Sequence, residues 1–305
     1  MSGSFRTSPT KPWFPRLLIA AGVCLLVGSG CLVRTTRNGA APVALRTASL
    51  DQLLDKLKVY SDIKSVTMNV TIQLSVESDD RTEVKEYTDT PGFILLRRPQ
   101  DIRVLAQVPV VRSTAFDMVS DGETFSVHLP SKNRYLVGKN QLEKPSAKRV
   151  ENVRPQHLLE ALFIDGPRED ELVLLDGAVA DGLAYHVVEI ISQEHNGHYR
   201  LKRKFWFDRR ELNLTRQQIF GDNAIMVTDA RYSDWNAEGI GSFAQRVVIN
   251  RPADGYQISL IIEKATVNNE IADDRFEMEP PEGVTIERIG EEAPAAGATE
   301  TPSDD

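Results

Sequence analysis

A few side chains in this sequence have types and spacings that could hold a metal ion. His195 and His198 are separated by two residues, a spacing that can serve a transition metal. The two residues between them, Asn196-Gly197, are a turn signal, and at a hairpin turn both imidazoles should face water. The acidic pair Asp273-Asp274 and the segment Glu277–Glu279 could bind a cation, but an exposed acidic turn explains them more simply. We therefore predict no metal site.

Motifs for nucleophilic catalysis and phosphate binding are absent from the sequence. It contains no G-x-S-x-G, no G-x-x-x-x-G-K-[ST] and no H-E-x-x-H. The segment Gly239–Ser242 has the wrong spacing and is expected to form a turn between strands. We expect a protein that is not an enzyme and carries no cofactor; catalytic residues assembled from distant positions are the alternative.

Cys31 is the residue for which the sequence most clearly predicts a chemical modification, because it follows a leader of the kind that directs a chain to a membrane. Residues 1–16 contain basic side chains and no acid, and Leu17–Val27 is almost wholly apolar. A basic region followed by an apolar run is typical of a secretory signal. As a helix, Leu17–Gly30 would span roughly 21 Å at about 1.5 Å per residue. That is short of the roughly 30 Å hydrocarbon core, so a processed signal is favoured over a permanent span.

The residues around Cys31 resemble the lipobox of a bacterial lipoprotein signal. Gly30 and Cys31 match the end of the Leu-x-Gly/Ala-Cys pattern, whereas Gly28 stands where the pattern usually has Leu. The resemblance implies cleavage before Cys31 and acylation of its thiol; an uncleaved anchor and an ordinary secretory signal are the alternatives. The other cysteine, Cys24, lies in the leader, so the mature body should have no thiol and no disulfide. Leu32, rather than Asp, follows the cysteine, which in familiar Gram-negative sorting favours the outer membrane.

Composition and charge define segments of the chain and exclude some partners. We assign residues 1–30 to a lipoprotein signal peptide, 31–47 to a lipidated flexible tether, 48–286 to the folded domain and 287–305 to an acidic disordered tail. The net charge of −8 argues against nucleic acid, since neutralising phosphates needs a concentrated basic surface. It also disfavours a polybasic membrane surface, so the acyl chains at the N-terminus should supply the attachment.

The folded domain opens with the patterns of one helix and one long strand. Leucines recur at helical spacing after Ser49, a suitable N-cap, at Leu50, Leu53, Leu54 and Leu57. Apolar residues then alternate with polar ones, which predicts a half-buried strand. The apolar members of this strand are Val66, Met68, Val70, Ile72, Leu74 and Val76.

Further strands and one inserted helix follow. Strands are predicted at Glu83–Arg97, Ile102–Val108, Ala115–Ser120, Thr124–Leu129, Tyr185–Gln193, Tyr199–Phe207, Leu214–Ile219, Met226–Tyr232, Phe243–Ile249 and Tyr256–Val267. The segment Pro155–Ile164 breaks the β pattern and is predicted to be a helix. Its apolar stripe is Leu158, Leu159, Leu162 and Phe163. Together these patterns predict a mainly β (α+β) fold, an open and strongly curved antiparallel sheet with covering helices.

This order of elements resembles the lipoprotein-carrier superfamily of the bacterial envelope, the LolA/LolB-like proteins. The resemblance is carried by the Leu-rich first helix, the long alternating strand, the hairpin Val119–Pro130, the mid-chain helix and the ending Val267–Val284. In that ending a closing strand is followed by Asn, an acidic turn, Phe and Pro-x-Gly. Here these are Asn268 or Asn269, Asp273-Asp274, Phe276, Pro281 and Gly283.

The resemblance implies an open β-barrel whose concave apolar interior holds the acyl chains of lipoproteins or other lipids. A lipid-anchored member looks more like the receptor or lipid-binding branch than the soluble carrier. The expected function is therefore to bind such chains on the periplasmic face of the outer membrane and to aid their transfer or insertion. The alternative is a structural or assembly lipoprotein that docks an envelope protein, for example by strand addition.

Several placements stay open at the level of sequence. The apolar face from Val66 to Val76 either packs against the covering helices as core or lines a lipid cavity. Arg203 interrupts the apolar stripe of its strand, so either a cation sits inside the cavity or that strand lies near an edge. The helix Pro155–Ile164 is a candidate lid.

Overall fold

The computed structural model describes residues 44–289, apart from residues 81, 88, 142–145, 147–148, 195 and 236–242. Every described residue belongs to one compact unit, Ala44–Asp305. The predicted signal peptide 1–30, the lipidation site Cys31 and most of the tether 31–47 lie outside the described residues.

The described residues contain one sheet of 15 strands. The strands are β1 (Ser65–Glu77), β2 (Val84–Glu86), β3 (Thr90–Arg97), β4 (Asp101–Gln107), β5 (Thr114–Ser120), β6 (Thr124–Leu129), β7 (Arg134–Lys139), β8 (Leu172–Ala180), β9 (Leu183–Gln193), β10 (Tyr199–Asp208), β11 (Leu214–Phe220), β12 (Met226–Ser233), β13 (Arg246–Arg251), β14 (Tyr256–Val267) and β15 (Thr285–Ile289). Their order is β15-β7-β6-β5-β4-β3-β1-β14-β13-β12-β11-β10-β9-β8, and β2 pairs with the end of β1. Strands β8 and β15 are the two edges, so the sheet is curved but open.

Strand β1 joins two meanders into this single sheet. On one side it pairs with β3, and on the other it pairs antiparallel with β14, where Val70 faces Ile262. The register of the β14 pairing shifts between Asn69 and Val70, and such a bulge adds local twist. Because β1 has neighbours on both sides and lies at the centre of the sheet, its apolar face is well placed for burial.

Two α-helices cover one face of the sheet, which we call the inner face. Helix α1 (Leu50–Ser61) begins with a capping box, in which the Gln52 N–H donates to Ser49 Oγ and the Ser49 N–H donates to Gln52 Oε1 at 3.0 Å. Helix α2 (Pro155–Leu162) starts with proline at a first-turn position, where the missing N–H costs no helical hydrogen bond. Short 3₁₀ segments lie at Pro130–Lys132, Arg149–Asn152, Asp222–Ala224 and Asp273–Phe276.

The hydrophobic core lies between these helices and the inner face. Helix α1 contributes Leu53 and Leu57, both fully buried. Buried strand residues in the same cluster include Met68, Ile94, Leu96, Val188, Ile190, Phe205, Phe207 and Leu260. Burial of each such side chain contributes about 1.5–3 kcal/mol. The helices and the sheet are therefore stabilised mainly by apolar contacts with each other.

The prediction of an open, strongly curved antiparallel sheet with covering helices is confirmed. The predicted strand Glu83–Arg97 is in fact two strands, β2 and β3, because the polar residues after Glu86 interrupt the apolar alternation. The helix predicted over Pro155–Ile164 ends at Leu162, where Phe163 has extended backbone angles and Pro167 follows shortly after.

The sequence does not predict strands β7, β8 and β15. Strand β8 is an edge strand with apolar side chains on both faces, so it lacks the period of two that marks a half-buried strand. Strand β15 includes residues 287–289, which the sequence assigns to the tail. Arg134 Nε donates to Glu287 Oε1 at 2.6 Å, and this ion pair attaches β15 to β7. The rest of the predicted tail, residues 290–305, lies outside the described residues.

Candidate functional site

The apolar face of β1 lies in the core beneath the helices. Of its six predicted lining residues, the buried ones are Val66, Met68, Val70 and Val76, and the partly exposed ones are Ile72 and Leu74. All of them contact the same hydrophobic cluster as the two helices. In this structure the four buried residues are part of the core, and Ile72 and Leu74 pack at its margin.

Helix α2 presents a continuous apolar surface to the inner face. The buried side chains of the helix and of the extended segment after it are Pro155, Leu158, Leu159, Ala161, Leu162, Phe163 and Ile164. All four predicted lid residues are in this set. Helix α2 has eight residues, so it is shorter than helix α1, which has 12.

Three polar side chains, Ser61, Arg98 and Arg203, hold the segment that follows α2, and we call them the latch. Arg98 lies directly after β3. Its Nη1 donates to Asp165 Oδ1 at 2.6 Å, and its guanidinium lies 4.6 Å from the centroid of the Phe163 ring. Its Nε donates to Ile63 O at 2.8 Å. Arg98 therefore ties the end of α2 to the segment between α1 and β1.

Ser61 is the second member of the latch. Its Oγ accepts a hydrogen bond from the Gly166 N–H at 2.9 Å and lies 3.4 Å from Ile164 O. Ser61 is the last residue of α1 and precedes β1 by only a few residues. This contact therefore fixes the segment after α2 to a point that can move little relative to the sheet.

Arg203, on β10, is the third member of the latch. Its guanidinium donates to Asp165 O at 2.8 Å, to Gly166 O at 3.2 Å and to Glu171 Oε2 at 3.0 Å. The Glu171 side chain is only 3% exposed, so this is a buried ion pair. β10 is separated from the edge strand β8 by β9. Of the two interpretations of Arg203, the structure therefore supports a cation on the inner side.

The beginning of α2 is held by a buried cation, Arg154. Its Nε donates to Lys139 O at 3.1 Å, its Nη1 donates to Val153 O at 3.0 Å, and its guanidinium lies 5.0 Å from the Phe125 ring centroid. Burial lowers the pKa of Arg154. Its Nη2 atom has no hydrogen-bond partner among the described residues. These contacts attach the start of α2 to β6 and β7.

The middle of α2 makes polar contacts with β12 and β14. His157 Nδ1 shares a hydrogen bond with the hydroxyl of Tyr256, and their rings stack with centroids 6.0 Å apart. Burial lowers the pKa of His157 well below its usual range, so its imidazole is neutral at pH 7. The hydroxyl of Tyr232 lies 2.8 Å from Ala161 O and 2.8 Å from Gln217 Oε1. Helix α2 is thus fixed along its whole length.

A cleft of about 820 Å³ opens beside the latch, between the two helices and strands β10 and β11. Its walls include apolar side chains, among them Leu54, Phe163 and Ile219. They also include the amines of Lys58 and Lys202. Phe163 is the one predicted lid residue that borders this cleft.

The acidic residues near the C-terminus lie on the opposite, outer face of the sheet. Asp273 Oδ1 accepts a hydrogen bond from Arg97 Nη1 at 2.6 Å, and the Arg97 guanidinium lies 4.7 Å from the Phe276 ring centroid. Arg97 also donates to Ile271 O at 3.0 Å and pairs with Asp101 at 2.7 Å. The acidic turn thus docks the closing segment onto β3 and β4.

The hairpin between β4 and β5 exposes two apolar side chains at its tip. Val110 is 98% exposed and Val111 is 74% exposed. Val110 has φ of 70°, in the left-handed region, where a β-branched residue is strained.

Strand β8 exposes a second apolar surface along one edge of the sheet. It pairs with β9 on one side, and no described strand pairs with its other side. Its exposed apolar side chains are Leu172, Leu174, Leu175 and Val179. The strand contains one charged residue, Asp176, and no proline or lysine, so it lacks the usual features that block edge pairing.

The other predicted candidates are placed only in part. His195 and Cys31 lie outside the described residues, and His198 is exposed in the turn between β9 and β10. Among the residues that the structure describes, no group of three or more His, Cys, Asp or Glu side chains is arranged to hold a metal ion. No helix formed by the described part of the chain has the length and apolarity needed to cross a membrane.

Sequence reasoning misses the latch residues Ser61 and Arg98 and the buried pair partner Glu171. Their partners are 103, 67 and 32 positions away in the chain, and no local pattern reports such separations. The interruption of an apolar stripe by Arg203 was the one available signal. The sequence Pro109-Val110-Val111 could also have drawn notice, since two valines follow a proline between predicted strands.

No family model matches the chain, and no curated protein matches it. Solved structures similar to it include a LolA superfamily protein from Nitrosomonas europaea, with 13% identity, 76% of this chain and 99% of that chain covered, and a TM-score of 0.46. A DUF1329 family protein from Desulfovibrio piger has 13% identity, 74% and 94% coverage and a TM-score of 0.47. A domain assigned to outer membrane lipoprotein sorting in Vibrio parahaemolyticus has 11% identity, 73% and 94% coverage and a TM-score of 0.44. These three structures each align with about three quarters of this chain at 11–13% identity.

Proposed function

We propose that this protein is a non-enzymatic lipoprotein, anchored through Cys31, that binds acyl chains between the inner face of its sheet and helix α2. It would act on the periplasmic face of the outer membrane and aid the transfer or insertion of lipoproteins or other lipids. Binding would need no covalent chemistry, since a donor releases the chains into the protein and the membrane then takes them up.

The observation that supports this proposal most directly is the construction of α2. The helix covers the inner face with an apolar underside, whereas its ends are held mainly by polar contacts to Arg154 and to the latch. Where these contacts are partly exposed, as between Arg98 and Asp165, the polar groups can exchange protein partners for water when a lid opens, at a modest net cost. An acyl chain can then replace the apolar contacts of α2. At about 0.8 kcal/mol per buried CH₂, ten methylenes would contribute about 8 kcal/mol to binding.

The tip of the β4–β5 hairpin is a candidate for contact with a membrane. Val110 and Val111 are the two consecutive apolar side chains at this tip, and burial in the acyl region of a bilayer would remove them from water. A lipid-facing role would also explain why Val110 is retained at a positive φ that glycine or asparagine would adopt more easily.

Native mass spectrometry tests the proposal. The domain Ala44–Asp305 is directed to the periplasm by an unrelated cleavable signal and purified without detergent, and its mass is compared before and after extraction with organic solvent. We expect an adduct with the mass of an acyl-bearing lipid that disappears on extraction. A domain that is empty in every preparation, and that takes up no added fatty acid, would contradict the proposal.

A second candidate function is docking of an envelope protein, and strand β8 is the observation that favours it. Its unpaired edge and exposed leucines could accept a strand from a partner. Replacing Leu174 by Lys would block such pairing and should abolish capture of that partner while leaving lipid binding intact. An empty domain that captures one envelope protein through β8 would support this alternative.

A further inference from the structure

The cleft beside the latch combines two kinds of wall that meet at the mouth of the inner face. One wall is apolar and is formed by Leu54 of α1, Phe163 after α2 and Ile219 of β11. Phe163 is also part of the hydrophobic core, so this wall is continuous with the apolar underside of α2. A chain that leaves the inner face beside α2 would therefore meet the ring of Phe163 where it enters the cleft.

The other wall is cationic, and a β-bulge produces it. Leu201 pairs with Ile191 and Arg203 pairs with Ile190, so Lys202 is an extra residue in β10. Bulges of this kind redirect side chains, and both Lys202 and Arg203 border the cleft. Lys58, in the last turn of α1, borders it from the helix side.

The cleft contains positively charged groups that are not neutralised by ion pairs within the protein. Arg203 and Arg168 are paired with Glu171, and Asp165 is paired with Arg98. Among the described residues, neither Lys58 nor Lys202 forms an ion pair with a carboxylate. These two amines are therefore available to an anion.

The remaining acidic group in the cleft is Glu160 of α2. It forms no ion pair among the described residues, and burial raises the pKa of its carboxyl group.

We infer that this cleft holds the anionic head group of a single-chain amphiphile, with the head between Lys58 and Lys202 and the acyl chain running past Phe163 under α2. The inference rests on the proposed function and names the class of lipid that the site would take. The cleft volume of about 820 Å³ lies in the range of small-molecule sites. Carboxylate and phosphate head groups share the required charge, so a fatty acid and a lysophospholipid are the two sources of this chemistry.

Photolabelling of the full chain in a neutral detergent tests the inference. The probes are a diazirine-bearing palmitic acid and the corresponding alcohol, and the yield of labelled protein is measured by intact mass. In the variant Lys58→Gln/Lys202→Gln we expect the acid concentration for half-maximal labelling to rise about tenfold, a change of 1.4 kcal/mol. Labelling by the alcohol should stay unchanged, and labelled peptides should include the segment around Phe163.

Matched variants separate the site from general charge effects. Lys56→Gln/Lys264→Gln removes the same charge from α1 and from β14, outside the cleft lining, and should leave labelling by the acid unchanged. Lys58→Arg/Lys202→Arg keeps the charge and should retain acid labelling, which controls for a folding defect in the glutamine variant. Competition by palmitate or by palmitoyl lysophosphatidate then identifies the head group as carboxylate or phosphate, and either result supports the inference.

Equal shifts for the acid and the alcohol in the Lys58→Gln/Lys202→Gln variant, or no shift for either, would overturn the inference but leave acyl binding intact. Absence of labelling by both probes in the unmodified chain would instead contradict the proposed function itself. The two failures are therefore distinguishable in one experiment.

Discussion

Replacing Arg98 by Met should loosen α2 and thereby tighten the apparent binding of acyl chains. The substitution removes the ion pair with Asp165 and the contact of the guanidinium with Phe163, which both hold the segment after α2. It also removes the hydrogen bond to Ile63 O, which stabilises the fold but does not hold the lid. The variant should therefore be less stable and yet bind lipid more tightly.

The expected size follows from these contacts. The Asp165 side chain is 59% exposed, so the ion pair contributes at most about 0.5–1 kcal/mol. The cation–π contact with Phe163, which is partly screened from water, adds about 0.5–1 kcal/mol. Together they favour the closed lid by about 1.4 kcal/mol, which is a factor of ten in the open fraction. When the open state is rare, the apparent Kd falls by the same factor.

Binding of a fluorescent fatty acid and hydrogen exchange of the α2 segment measure this effect. For Arg98→Met we expect a roughly tenfold lower apparent Kd and faster exchange over residues 158–166. The free energy of unfolding, measured with urea, should fall by about 2–3 kcal/mol, because loss of the charged hydrogen bond to Ile63 O adds about 1.5 kcal/mol.

Arg97 provides a matched control on the outer face of the same strand. Like Arg98, it joins a carboxylate, a backbone carbonyl and a phenylalanine ring, here Asp273, Ile271 O and Phe276. Arg97→Met should destabilise the protein to a similar extent with no change in fatty-acid affinity. The reasoning is refuted if Arg98→Met leaves the affinity and the exchange of α2 unchanged, or if both variants alter binding equally.

Three further substitutions test other parts of the account. Met68→Ala should lower the free energy of unfolding by about 3 kcal/mol in urea titrations, because Met68 is fully buried in the core; a loss below 1 kcal/mol would show that this face is loosely packed. Val110→Gly should raise that free energy by about 1 kcal/mol by relieving the positive φ, yet slow fatty-acid transfer to vesicles; unchanged transfer would remove the hairpin tip from the mechanism. His157, whose pKa is lowered in the folded protein, takes up a proton near pH 6.5 only when the chain unfolds, so stability should fall as the pH drops below that value. In His157→Gln the loss of stability between pH 7 and pH 5, measured by urea titration, should be smaller than in the unmodified protein; an equal loss would mean that other groups cause it. Glu160 acts in the opposite direction, because its raised pKa removes stability as the pH rises above 4.5.

The parts of the fold that sequence could predict are those with a strong local period. The alternation from Val66 to Val76 predicts β1 because a central strand with one covered face needs apolar side chains at every second position. Ser49 predicts the start of α1 because a side-chain oxygen there satisfies a free backbone N–H, as the capping box shows. The mid-chain helix is predicted because its apolar residues, from Leu158 to Phe163, follow a helical period.

The parts that sequence could not predict depend on neighbours that are distant in the chain. Strand β8 has no period of two because, at the edge of the sheet, its leucines are exposed on both faces. The latch is invisible for another reason: Arg98 and Arg203 converge on Asp165 only after the two meanders are joined by β1. Sequence left two placements open for Arg203, and its hydrogen bonds to Asp165 O, Gly166 O and Glu171 place it on the inner side.

Closing α2 with a reversible disulfide tests most directly whether acyl chains bind beneath it. A Cβ atom built on Gly166 would lie 3.5 Å from Ser61 Oγ, so Ser61→Cys/Gly166→Cys places two thiols within bonding range. Both native cysteines, Cys24 and Cys31, precede Ala44, so the pair is unique in the domain Ala44–Asp305. Ser61→Cys alone serves as the control, because it has one thiol and cannot form the internal bond.

The measurement is uptake of a fluorescent fatty acid by the double-cysteine domain before and after reduction with dithiothreitol. We expect little uptake in the oxidised form, full uptake in the reduced form and no response to dithiothreitol in the single-cysteine control. Equal uptake by the oxidised and reduced forms would contradict the claim that acyl chains bind under α2.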